Sequence, residues 1–78
     1  MRLAEAPPNA VVTVVGIDAG PGLKARLVGM GFVSGARVRV LDNRSGHVIV
    51  ALEGGSGRVV ALSRGLADKI VVEAHQQG

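Results

Sequence analysis

Short valine-rich segments separated by polar turns, together with a single helical stretch, predict a mainly β domain: an SH3-like barrel of about five strands. The alternation is clearest in Ala36 to Leu41, where Val38 and Val40 fall on one side and Arg37 and Arg39 on the other. The helical stretch repeats Leu23, Leu27 and Met30 on one face, between Pro21, suited to a first helical turn, and Gly31, suited to a left-handed cap.

In chain order, residues 1–9 read as a lead-in arm, because Pro7 and Pro8 favour extended backbone. Ala10 to Ile17 is a strand apolar on both faces. Asp18 to Gly20 turns the chain and offers Asp18 or Gly20 as a helix cap. The helix that follows is about two to three turns long, too short to hold without packing on a sheet. Gly31 to Gly35 is a corner, and Ala36 to Leu41 is the second long strand. Asp42 to Gly46 are turn residues, and His47 to Leu52 completes a hairpin with Val48, Val50 and Leu52 on one face. Glu53 to Gly57 forms a second turn before a strand at Arg58 to Leu62. Ser63 caps one helical turn through Asp68, with Leu66 and Ala67 inward. Lys69 to Glu73 closes the fold, and residues 75–78 read as a frayed tail. Residues 1–78 make one domain. Lys69 to Glu73 and Ala36 to Leu41 are the strands expected to have edges free for another copy.

Composition excludes several classes. The chain has 78 residues, no cysteine and one aromatic, Phe32, so thiol chemistry and disulfides are absent and the core is aliphatic. Net charge is +3, yet the basic residues are spread singly and aromatics for stacking bases are lacking beyond the single Phe32, which argues against nucleic acid as the partner. The longest uncharged stretch, Ala6 to Ile17, is too short to cross a bilayer, and the N-terminus lacks a signal-peptide apolar region, so a cytoplasmic protein is expected. The carboxylates are scattered among turns and strand ends, and Gly54, Gly55 and Gly57 open no helix, so neither catalysis nor a phosphate loop is expected.

Leu23, Leu27, Met30, Gly31, Gly35, Val38 and Val40, followed by Ala61, Leu62, Ser63, Ala67, Ile70 and Val72, resemble the pattern of the FeoA family, small proteins of bacterial ferrous iron uptake. The resemblance runs from Val11 to Glu73. It implies an SH3-like fold, no cofactor, and action through contact with the cytosolic side of the membrane ferrous transporter, FeoB. Asn9, Ser34 and His47 depart from the family pattern, all at turns. A related domain ends the iron-dependent repressors of the diphtheria toxin repressor type, so a metal-responsive regulatory domain is the alternative. That alternative calls for DNA-binding and metal-ligand segments that this sequence does not contain, and the transport accessory is the expected function.

The candidate partner-binding residues are Met30, Phe32, Val33, Arg37 and Arg39. Phe32, beyond the helix cap, is either a lid on the core, the favoured reading, or an exposed anchor for a partner. Arg37 and Arg39 share a strand face where acidic residues of a partner could read them. No metal site is expected. Asp42 and His47 are the only weak candidates: they flank a turn and could face each other across the hairpin, but two ligands do not make a site. His75 lies in the tail.

Overall fold

A computed structural model describes residues 1–44, 46–53 and 57–74. A short 3-10 turn at Leu3–Glu5 precedes β1 (Val11–Ile17), α1 (Pro21–Gly29), β2 (Arg37–Arg44), β3 (His47–Glu53), β4 (Val59–Ser63), α2 (Arg64–Ala67) and β5 (Ile70–Ala74). The five strands form one antiparallel sheet in the order β4-β3-β2-β1-β5. β2 is therefore an interior strand, not an edge, because β1 and β3 occupy both of its sides. Among the described residues β4 and β5 do not pair, so the expected barrel is not closed by hydrogen bonds. The expected tail at 75–78, with His75, and the tip of the second turn lie outside the described residues.

Alternation sets the core. Val12, Val14, Val38, Val40, Val48, Val50, Leu52, Val60, Leu62, Ile70 and Val72 are all buried, so every strand contributes its inward face to one cluster. Among the described residues no buried side chain is polar or charged. α1 adds Leu27, with Leu23 and Met30 half-buried against the cluster, and Ala67 of α2 is fully buried. The Ser63 hydroxyl accepts from the Leu66 N–H at 3.2 Å, the cap the sequence predicts.

The N-terminal segment does more than lead in. Leu3, Ala4 and Ala6 are buried, and the Val72 N–H donates to the Met1 carbonyl at 2.7 Å, which covers part of the outer edge of β5. Asn9 carries a φ of 73°, a left-handed conformation that Asn tolerates better than most residues, and its N–H bonds to the Val40 carbonyl.

β2 runs to Arg44, three residues beyond the expected end, because a bulge at Leu41 shifts the phase. Val40 and Asn43 both turn toward the buried side, and Leu41 is pushed out, 43% exposed. Asn43 Nδ2 donates to the carbonyls of Ala4 and Ala6 at 2.9 and 2.7 Å, while its Oδ1 accepts from Arg64 at 2.6 Å. One side chain thus ties the 3-10 turn, the end of β2 and the start of α2 together.

Candidate functional site

The corner between α1 and β2 is built by its helix cap. Beyond the last helical residues the Phe32 N–H reaches the Leu27 carbonyl at 3.1 Å and the Gly31 N–H reaches the Val28 carbonyl at 3.0 Å. This is a Schellman motif, and the contact that accompanies it joins Phe32 to Leu27, both fully buried. Gly31 has a φ of 113°, and a Cβ there would lie 2.9 Å from Leu52 Cδ1. Gly31→Ala is expected to cost about 1–3 kcal/mol in urea denaturation, from backbone strain and from the displaced Leu52. An unchanged midpoint would show that the corner relaxes freely.

Phe32 is 0% exposed: it is the lid, and it leaves the set of surface contacts because the cap turns its ring inward. Met30 is half-buried, so it presents only part of its side chain, whereas Val33 is 45% exposed. Arg37 and Arg39 point away from the core on β2. Glu53 lies directly opposite Arg37, but its carboxylate is taken diagonally by Arg39 Nε at 3.1 Å. Arg37 has no ion pair among the described residues. It lines a shallow open depression of about 330 Å³ with Gly35, Ala36 and Glu53. Glu53 reads from sequence as a turn residue; its phase with Ile49 and Ala51 was the signal that β3 continues through it.

The structure separates the two weak metal candidates. Asp42 lies opposite Ile49, and His47 lies opposite Arg44, since the bulge at Leu41 and the extension of β2 move the turn beyond Arg44. The Asp42 carboxylate instead accepts from Arg44 Nε at 3.1 Å. Among the described residues no cluster of three His, Cys, Asp or Glu could hold a metal ion. The corner sets an exposed valine and two outward arginines beside the helix cap.

Comparison with known proteins fits these features. The description of the FeoA domain matches residues 1–74. The chain belongs to the FeoA family. A relative from Methanocaldococcus jannaschii named Fe(2+) transport protein A is 42% identical over 76 residues, 97% of this chain and 89% of that protein. The crystal structure of an iron uptake regulatory protein, FeoA, superposes with a TM-score of 0.83 at 32% identity, covering 92% of this FeoA-family chain and 93% of that one. A manganese-dependent transcriptional repressor, solved with manganese, matches at 28% identity and a TM-score of 0.86 over 95% of this chain, but over only 36% of its own. The FeoA-family fold here is SH3-like and mainly β, with five antiparallel strands and two short helices. Among the described residues no helix is long and apolar enough to cross a membrane.

Proposed function

We propose that this FeoA-family protein is a non-catalytic cytoplasmic accessory of ferrous iron transport, which binds the cytosolic part of the membrane ferrous transporter. The observation that carries this reading is the 42% identity, across 97% of the chain, to a protein named for Fe(2+) transport. The corner described above supplies the contact. Val33 provides exposed apolar area, and Arg37, without an ion pair among the described residues, provides a charge for an acidic patch on the partner. Such binding acts by favouring one conformation of the transporter over another.

An amide NMR titration with the cytosolic domain of the cognate transporter tests this. Shifts confined to residues 29–39 are expected, and Arg37→Glu should weaken binding about fivefold without altering the spectrum elsewhere. No shifts at high micromolar transporter domain would remove direct contact with that domain.

The repressor likeness supports a second reading, a metal-responsive regulatory domain. It predicts a change in oligomer size when manganese or ferrous ion is added. Sedimentation unchanged by either metal would remove it.

A further inference from the structure

The two outer strands of the sheet are treated differently. The edge of β5 is partly covered, by the Arg2–Val71 bridge and the Met1 carbonyl on the Val72 N–H. β4 has no such cover among the described residues. The Leu52 N–H donates to the Arg58 carbonyl at 2.8 Å, and the Arg64 N–H donates to the Gly46 carbonyl at 3.1 Å. Hydrogen-bonded pairs alternate along an antiparallel ladder, so between these two contacts Val60 and Leu62 bond to β3. Val59, Ala61 and Ser63 therefore turn their N–H and C=O groups away from the sheet.

Exposed edges usually carry a charge, a proline or a bulge that blocks further pairing. β4 reads Val-Val-Ala-Leu-Ser and has none of these. Its outward side chains extend an apolar strip. Val59, 62% exposed, lies beside Ala51, and Ala61 lies beside Ile49, with Leu41 bulged out on the next strand. Arg58 precedes the strand and is exposed, with no ion pair among the described residues, while the Arg64 guanidinium at the other end is held by Asn43 Oδ1 and the Ala4 carbonyl. The nearby carboxylates of Asp42 and Glu53 already hold Arg44 and Arg39.

We propose that β4 receives an added strand from a partner protein: an extended segment with apolar residues at alternate positions and a carboxylate at the end that meets Arg58. Arg58 supplies the charge that this carboxylate meets, since it has no ion pair among the described residues. A second copy of this chain fits less well. The two-fold pairing that uses all three outward residues centres on Ala61, and it sets Arg58 against the second copy's Arg64 at both ends of the junction. This surface is separate from the α1–β2 corner and does not depend on the transporter reading.

The test uses the intact protein and a blocked synthetic peptide, EVTVTVE. Its valines fall opposite Val59, Ala61 and Ser63, and one of its glutamates falls opposite Arg58. With the peptide present, amide hydrogen exchange is expected to slow at Val59, Ala61 and Ser63, and to stay the same at Val60 and Leu62, which already bond to β3. Ala61→Pro removes one outward donor without breaking a bond to β3, and should weaken binding about tenfold while leaving the remaining amide shifts in place. Arg58→Glu, which leaves the backbone alone, should weaken it about fivefold. No protection at Ala61 with millimolar peptide would overturn the proposal. So would equal binding of KVTVTVK, or a dimer in sedimentation whose Ala61 amide is protected without peptide; that last result would assign the edge to a second copy.

Discussion

Phe32→Ala is expected to lower stability by about 3–5 kcal/mol, the cost of emptying a fully buried aromatic site. A domain of 78 residues has roughly 4–12 kcal/mol in total, so the variant should lose at least about a quarter of its stability. Its melting point should fall by about 12 °C or more in calorimetry. The effect is large because no other aromatic is present to refill the space, and because the ring seals the helix cap against Leu27. Phe32→Leu, which keeps most of the volume, should lose far less. If Phe32→Ala melted like the natural protein and only its partner binding fell, the ring would be a surface anchor and the buried placement would be wrong.

Asn43→Ala is the second large effect, about 2–3 kcal/mol. The side chain is half-buried, and its loss strands the carbonyl of Ala6 and weakens the ties on Ala4 and Arg64. The damage should be local before it is global. Hydrogen exchange at the Ala6 and Val72 amides, which bond to the Leu3 and Met1 carbonyls, should quicken while β3 and β4 keep their protection. Unchanged exchange at those two amides would show that the N-terminal segment is held by Leu3 and Ala6 packing alone.

The same residues mark where sequence reading stops. Strand period, the proline at the helix start and the Leu27–Gly31–Phe32 cap are local patterns, and each strand and helix lies within a few residues of its expected place. The bulge at Leu41 is not local: it shows only once β3 is laid beside β2, and it moves Asn43 from a turn into a buried-side position. Asn43 then bonds to residues 39, 37 and 21 positions away, spacings that no periodicity records. For the same reason Asp42 and His47, close in sequence, end up in different rows of the hairpin. Leu3, Ala4 and Ala6 have no repeat to announce them, and Pro7 and Pro8 mask them as an arm. Of the candidate contact residues, the outward pair Arg37 and Arg39 followed from alternation. The fate of Phe32 turned on a cap whose closing bonds had to be seen.

The strand order has a kinetic consequence. β2, β3 and β4 are joined by short turns and can zip together early, whereas β1 must wait for β5, which lies near the far end of the described chain. Pairings that close long loops form slowly. During that interval the uncharged β4 strand is already assembled, and the Val12, Val14 and Val72 face of the core is still open. Refolding yield is therefore expected to depend on how quickly the last ladder closes, because until then an unprotected strand edge and an open core face are both exposed.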